Sequence, residues 1–324
     1  MSARYVQPLR ILIQFCFLGF MLWLGIRFYQ FVRYVLSAGT TPFVPRPDGI
    51  EGFLPISGLL GLSAWFRGLG INTVHPAAVV LLVTILVVSL LLRRSFCSWI
   101  CPVATISECS WKSGFSRFRR NLRLPSRLDL ALRCVKYLLL AFFVYSIAFA
   151  MSNDGLLDFI RSDYHKSADV RLLDFFLHIS PLTLGMLAAL IAASVILRNP
   201  FCRYLCPYGA LLGLVALLSP LRVTRDRDHC VSCGVCSQVC PVYIDVMHKK
   251  SVNSPECIGC WRCISHCRAQ GALSMRLAGR VKIPGMVFAL LVVMFFWGGS
   301  VVGVWTGHWH TSLTMADYVR LLKK

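Results

Sequence analysis

Long apolar runs alternate with short polar segments along this chain, and five of the runs stand out: about residues 9–32, 76–92, 134–151, 182–197 and 283–305. The second run carries no charge, and the first, after Arg10 near its start, is interrupted only by Gln14, Arg27 and Gln30. A helix of about 20 mostly apolar residues crosses the hydrocarbon core of a membrane. The pattern therefore predicts a mainly α-helical, polytopic membrane protein with about five transmembrane helices, of which the second and fourth are a little short.

Composition supports the same interpretation and adds a strong positive charge. Charged residues make up 15% of the chain and apolar residues 56%, whereas an ordinary soluble domain is about 25% charged. The formal net charge is +20. A charge of this size is typical of a nucleic-acid partner, an anionic membrane surface, or basic loops on one side of a membrane.

The positions of the basic residues favour basic loops on one side. The segments at about residues 93–133 and 198–282 carry nine and twelve Lys and Arg, and every other segment carries two or three. Basic loops stay in the cytoplasm, which predicts a multi-pass protein of the bacterial inner membrane with the N-terminus inside and the C-terminus outside. The first run is expected to be an uncleaved anchor. Contact with membrane lipid then accounts for the charge, and no nucleic-acid partner is expected.

Eight of the fifteen cysteines form two copies of one pattern. Residues 230–241 read CVSCGVCSQVCP and residues 257–267 read CIGCWRCISHC, each with the spacing C-x2-C-x2-C-x3-C. This is the spacing of bacterial ferredoxins that hold two [4Fe–4S] clusters, in which the fourth cysteine ligates the other cluster. The predicted ligand sets are Cys230, Cys233, Cys236 and Cys267 for one cluster and Cys257, Cys260, Cys263 and Cys240 for the other.

A second cysteine pattern, CxxxCP, also occurs twice. It places Cys97 and Cys101 after one apolar run and Cys202 and Cys206 after another, 105 residues further along the chain. Pro102 and Pro207 suit the first position of a following helix. Three chemistries stay open for the four thiols: binding a further metal or cluster, cycling as dithiols, or packing as small apolar side chains.

Candidates for a quinol site lie in the first outside loop. Quinol oxidation requires a proton acceptor near the membrane surface, and histidine or a carboxylate suits that role near neutral pH. His75, Glu51 and Asp48 are the predicted residues, with interfacial or capping roles as the alternative.

Taken together, the apolar hairpins, the two CxxxCP motifs and the following cysteine pair resemble the NapH/NosR/CcoG-type membrane polyferredoxins. The resemblance covers nearly the whole chain. It implies electron transfer between the quinone pool and partner redox proteins, or a role in building or activating respiratory metalloenzymes. It also implies a redox or metal role for the CxxxCP cysteines. The chain departs from each subtype: the 43-residue first loop has no room for a flavin-binding region, and a fifth helix follows the ferredoxin segment.

The sequence thus predicts three segments: a membrane domain at residues 1–200 with two CxxxCP hairpins, a ferredoxin-like domain at 201–282, and a fifth membrane helix with a short tail at 283–324. The leading functional hypothesis is an iron–sulfur protein that passes electrons between the quinone pool or a membrane partner and another redox protein. The alternative is an assembly or metal-reduction factor that uses the CxxxCP thiols.

Overall fold

The structure is a computed structural model that describes residues 5–37, 40–119, 121–269 and 271–322. The chain divides into two compact units, each built from separate stretches of sequence. The first unit contains residues 1–18, 85–140 and 185–296, and the second contains residues 19–84, 141–184 and 297–324. The predicted division into three consecutive segments is a division along the sequence and stays a prediction.

Helices make up most of the described structure. Their bounds are α1 Val6–Leu36, α2 Pro55–Phe66, α3 Pro76–Leu92, α4 Phe96–Trp99, α5 Pro102–Phe118, α6 Ser126–Tyr145, α7 Asn153–Arg161, α8 Asp163–Lys166, α9 Ala168–Leu177, α10 Pro181–Ile196, α11 Pro207–Ala216, α12 Val235–Gln238, α13 Arg262–Ser265, α14 Gly285–Trp305 and α15 Met315–Leu322. A 3₁₀ helix spans Asp48–Phe53, and π-helical turns span Ser146–Ala150 and Phe201–Leu205. The mainly α-helical class is therefore confirmed.

Within the described ranges, three helices are long and apolar enough to cross a membrane: Val6–Leu36, Ser126–Ala150 and Gly285–Trp305. They correspond to the first, third and fifth predicted spans. The second, Pro76–Leu92, is a 17-residue apolar helix, a little shorter than the roughly 20 residues typical of a crossing helix. The fourth reaches that length only together with Ala168–Leu177, across a bend of 82°. The protein is a membrane protein, and the count of five spans stays a prediction.

A four-stranded antiparallel sheet lies in the first unit, with the strand order β2-β1-β3-β4. The strands are β1 Leu221–Arg225, β2 Ser251–Val252, β3 Leu273–Leu277 and β4 Val281–Lys282. Alternation along β1 and β3 buries Leu221, Val223, Leu273 and Met275 on one face. The other face carries the intervening polar residues, because successive side chains of a strand point to opposite faces.

The second unit has two apolar clusters of its own. One joins Phe28, Phe31 and Val35 of α1 to Ile50 and Tyr318. The other packs Leu60 and Ala64 of α2 against Leu156 and Ile160 of α7. Between helices the chain places several charged side chains in buried positions, which are described with the candidate sites below.

Candidate iron–sulfur sites and a buried ion network

A small cavity in the first unit is bordered by four cysteines of the ferredoxin-like segment. Its lining includes Cys230, Cys233, Cys236 and Cys267. Cys230 and Cys233 come from the loop that leads into α12, Cys236 lies within α12, and Cys267 comes from the chain after α13. The guanidinium of Arg225 lies 3.6 Å from the Cys230 sulfur. Three cysteines of one motif and the last cysteine of the other motif therefore surround one space.

A second cavity is bordered by the complementary set. Its lining includes Cys240, Cys257, Cys260 and Cys263. The backbone N–H of Ile244 donates to the Cys240 sulfur at 3.3 Å, and the side chain of Gln7 donates to the Cys260 carbonyl at 2.9 Å. Four cysteine sulfurs are the donor set that a [4Fe–4S] cluster requires, so the residues around each cavity fit such a cluster.

The two cysteine loops share one backbone conformation. In each, the residues two and four positions after the first cysteine have positive φ: Ser232 at 53° and Gly234 at 71°, then Gly259 at 58° and Trp261 at 63°. Residues in this region reverse the chain tightly. The loop therefore wraps its three cysteines around the cavity in both motifs, which is the physical basis of the repeated spacing.

The first CxxxCP motif holds the second cysteine loop in place. The Ser98 hydroxyl donates to the Ile258 carbonyl, and the Trp99 indole donates to the Gly259 carbonyl at 3.1 Å. Ser98 and Trp99 lie between Cys97 and Cys101, and the two carbonyls lie between Cys257 and Cys260. Hydrogen bonds thus connect the two cysteine motifs directly.

The four CxxxCP thiols come together in the first unit. Cys101 and Cys206 are the capping residues before α5 and α11, and Pro102 and Pro207 occupy the first helical positions, as predicted. The Cys206 sulfur accepts a hydrogen bond from the Gly209 N–H at 3.2 Å. Burial raises the pKa of the Cys202 thiol, and the charges of the other three CxxxCP thiols raise it further.

A buried arginine lies among these thiols. The Arg94 side chain is 3% exposed, its Nε lies 3.3 Å from the Cys97 sulfur, and its Nη2 lies 3.5 Å from the Cys202 carbonyl. It also lies 3.8 Å from the Glu256 carboxylate, which accepts a hydrogen bond from Lys136 at 2.6 Å. The site therefore has two buried cations for one carboxylate, a charge balance that suits thiolates or another anionic group.

No three His, Cys, Asp or Glu side chains among the described residues are close enough together to hold a single metal ion. This holds for the CxxxCP thiols and also for the two ferredoxin-type sets.

In the second unit, the structure brings together the three residues predicted for a quinol site. His75 Nδ1 lies 3.3 Å from Glu51, and Arg46 lies 3.0 Å from Glu51 and 3.3 Å from Asp48. Asp169 joins this ion network through Arg46 at 2.9 Å. The exposed end is Asp48, which pairs with His310 at 2.7 Å, whereas Glu51 and His75 are fully buried.

A second histidine contacts this network and differs from the first in the direction of its pKa shift. His75 Nε2 lies 2.9 Å from the His165 carbonyl, and the two rings are 4.9 Å apart. Burial acts to lower the pKa of His75, but Glu51 raises it above its usual range. Burial and the charge of His75 lower the pKa of His165 to about 4. His75 therefore holds a proton more readily than His165 does.

Sequence reasoning missed four members of these sites: Arg94, Glu256, Asp169 and His165. Arg94 carried a signal, because it lies three residues before Cys97 and is adjacent to an apolar run. The other three are separated by many residues from their partners, and only the fold brings them together.

Two cavities edged by cysteine sets of this kind define an iron–sulfur membrane protein, and comparison with known proteins supports this class. A family described as "4Fe-4S binding domain" matches residues 74–125 and 179–225, the regions of the two CxxxCP motifs. A second family, described as "4Fe-4S dicluster domain", matches residues 222–268.

Known relatives include the "Putative electron transport protein YccM" of Escherichia coli, which is 40% identical over 95% of this chain and 88% of its own length. The methylamine utilization ferredoxin-type protein MauN of Methylorubrum extorquens is 30% identical over 59% of this chain and 62% of its own. The ferredoxin-type protein NapH of Escherichia coli is 26% identical over 54% of this chain and 59% of its own. No solved structure matches.

The chain therefore belongs to the NapH-type family of membrane polyferredoxins. It is an iron–sulfur electron-transfer protein of the NapH, NirI and MauN type.

Proposed function

We propose that this protein passes electrons between the quinone pool, or a membrane partner, and another redox protein through two [4Fe–4S] clusters. Cys230, Cys233, Cys236 and Cys267 ligate one cluster, and Cys240, Cys257, Cys260 and Cys263 ligate the other. The observation that carries the proposal is the presence of two cavities, each lined by one of these crossed sets. The basic loops place the clusters on the cytoplasmic side of the bacterial inner membrane.

Bound clusters supply one-electron redox chemistry whose potential depends on hydrogen bonds to the sulfurs and on burial. The two sets differ in exposure at one position. Cys233 of the first set is exposed, whereas the four cysteines of the second set are buried or half-buried. Each set has a sulfur that accepts a hydrogen bond, Cys230 from Arg225 and Cys240 from the Ile244 N–H. We infer that the first set faces a soluble partner and that the second set faces the membrane helices.

Oxidation of one quinol releases two electrons and two protons, and two clusters can accept one electron each. The protons require acceptors on the chain. In this proposal the Asp48 carboxylate accepts protons at the exposed end of the ion network. Arg46 and Glu51 connect Asp48 to His75 by contacts of 3.0–3.3 Å.

The quinol step is tested with the detergent-purified full chain under anaerobic conditions. A reduced short-chain quinol is added to wild type, to Asp48→Asn and to the control Asp154→Asn, an exposed carboxylate outside the network. The proposal predicts cluster reduction in wild type and in the control, and a rate at least about 10-fold lower in Asp48→Asn. If dithionite reduces the clusters but quinol does so in no variant, the quinol step is contradicted. The proposal of two [4Fe–4S] clusters is not affected by that result.

We further infer that Cys97, Cys101, Cys202 and Cys206 hold a third, polynuclear iron–sulfur centre. The family description for their two segments is a 4Fe-4S binding domain, distinct from the segment of the dicluster domain. Arg94 supplies a buried positive charge beside the four thiols, which favours an anionic thiolate-ligated centre.

Iron analysis tests this third centre. With three [4Fe–4S] clusters the chain holds about 12 iron atoms, and replacing the four CxxxCP cysteines by serine lowers the content to about 8. The control replaces the exposed residues Cys109 and Cys134 by serine and retains all the iron. A wild-type content of about 8 with no change in the variant would contradict the third centre. Copper or another metal bound to the four thiols would favour the metal-reduction alternative.

A further inference from the structure

The outer face of the ferredoxin-like sheet carries an unusual row of positive charges. Arg222 on β1 lies directly opposite Arg276 on β3, and Arg276 lies directly opposite Lys282 on β4. Like charges that face each other across neighbouring strands destabilise a sheet. None of the three side chains lies within ion-pair distance of a carboxylate among the described residues. The fold thus keeps an unfavourable charge row that it does not neutralise itself.

Two members of this charge row, Arg222 and Arg276, line an open groove of about 820 Å³. Three more cations line the groove: Arg225, Arg227 and Lys250. Two acids, Asp226 and Asp228, also line it. Asp226 is engaged, because its carboxylate accepts from the Asp228 N–H at 3.1 Å and lies 3.2 Å from His229. The groove is therefore strongly basic.

The groove leads to the first cysteine set. Arg225 lines both the groove and the cavity of that set, and its Nη1 lies 3.6 Å from the Cys230 sulfur. Its buried Nε has no hydrogen-bond partner. Beside it, Cys233 is exposed and Val231 is 66% exposed. A molecule bound in the groove would therefore contact Arg225, which also borders the cavity of the first cysteine set. It would lie near the exposed residues Val231 and Cys233.

We propose that this basic groove, defined by Arg222, Arg225, Arg227, Lys250 and Arg276, is the docking surface for an acidic electron-carrier protein. The proposal rests on the proposed function, because it names the chemical class of the soluble partner that exchanges electrons with the first cysteine set. Charge complementarity selects the occupant. The groove holds five cations, of which Arg222 and Arg276 face each other across β1 and β3 without a carboxylate partner among the described residues, and such a groove favours an extended negative surface. The exposed Val231 and Cys233 supply an apolar and polarisable edge for close approach. Opposite charges of this kind speed association and fix orientation.

Direct binding provides the test. Oxidised flavodoxin, an acidic one-electron carrier, is passed over the immobilised full chain in detergent at low ionic strength. The proposal predicts saturable binding that weakens steeply with salt. The double variant Arg222→Glu/Arg276→Glu should weaken binding at least about 10-fold. The matched control Arg117→Glu/Arg119→Glu makes the same charge change at two exposed arginines of another surface and should bind as wild type does.

Iron content and dithionite-reduced spectra establish that each variant is folded and loaded, so a failure of docking is distinguishable from a failure of the proposed function. Equal binding by the two double variants would overturn the proposal, whether both lose affinity or neither does.

Lipid nanodiscs test the competing occupant, which is the lipid headgroup. If wild type binds flavodoxin in phosphatidylcholine discs but not in discs with phosphatidylglycerol, lipid headgroups cover the groove, and the proposal is wrong. Binding in both kinds of disc supports it.

Discussion

Glu256 accepts a hydrogen bond from the Lys136 ammonium at 2.6 Å, and both side chains are buried. Glu256 directly precedes Cys257 and also lies 3.8 Å from Arg94, which contacts the Cys97 sulfur. One carboxylate therefore balances two cations and links both cysteine motifs. Removing one member of a buried ion group leaves the other members unpaired, which is more costly than replacing the whole group.

Glu256→Ala should lower the free energy of unfolding by about 3 kcal/mol, because Lys136 and Arg94 then remain buried without a carboxylate. The midpoint of thermal unfolding in detergent measures this loss. Adding Lys136→Met to Glu256→Ala should recover part of it, since one buried charge is then removed. Additive losses in the double variant would show that the two residues do not stabilise each other.

Trp99→Phe should weaken the contact between the two cysteine motifs. The change removes the indole donor and leaves the buried Gly259 carbonyl without that hydrogen bond, at a cost of about 1–3 kcal/mol. Unfolding midpoints measure the loss, with Trp65→Phe as the control because Trp65 is 52% exposed. An equal effect of both substitutions would mean that ring size, rather than the hydrogen bond, matters.

Gly114→Ala should prevent α5 from packing normally. A Cβ at Gly114 would overlap the Val195 carbonyl oxygen of α10, which is backbone and cannot rotate away. Overpacking of this kind typically costs about 1–3 kcal/mol or more. Gly185→Ala is the matched control, because nothing lies within 4 Å of its Cβ position. Normal expression and stability of Gly114→Ala would contradict the described packing of α5.

The second unit should lose stability in acid because of His165. Its folded pKa is about 4 against an ordinary 6.5, so between these values the unfolded chain binds a proton that the folded chain does not. Stability therefore falls as the pH decreases from 6.5 to about 4, by up to about 3 kcal/mol. His165→Gln should flatten this part of the curve of thermal midpoint against pH. An unchanged slope in this variant would assign the acid sensitivity to other groups.

The sequence was informative wherever function depends on local spacing. The eight ferredoxin cysteines lie within 38 residues of one another, so a repeated spacing was enough to predict how they group. Each predicted set lines one cavity, and the ligand sets themselves stay a prediction. The proline that ends each CxxxCP motif likewise predicted where the following helix begins, because this signal is also local in the sequence.

Long-range partners and membrane crossings were harder to predict. Arg10 lies inside an apolar run, and nothing near it in the sequence indicates that it donates to Glu108 at 2.8 Å. Likewise, Asp48, Glu51 and His75 were predicted together because they share one loop, but Asp169 comes to them from 94 residues beyond His75. The charge-free run at Pro76–Leu92 is predicted to span the membrane, and this stays a prediction because apolar composition alone does not separate a short buried helix from a crossing helix.

The central claim is that the crossed cysteine sets ligate two [4Fe–4S] clusters that exchange electrons with each other. Electron paramagnetic resonance of the anaerobically purified, dithionite-reduced full chain tests this claim most directly. The account predicts the interacting signal of the two reduced [4Fe–4S] clusters of the crossed sets, and the loss of that interaction when Cys233 is replaced by serine. A preparation with full iron content that shows no [4Fe–4S] signal, or a Cys233→Ser variant with the wild-type spectrum, would contradict it.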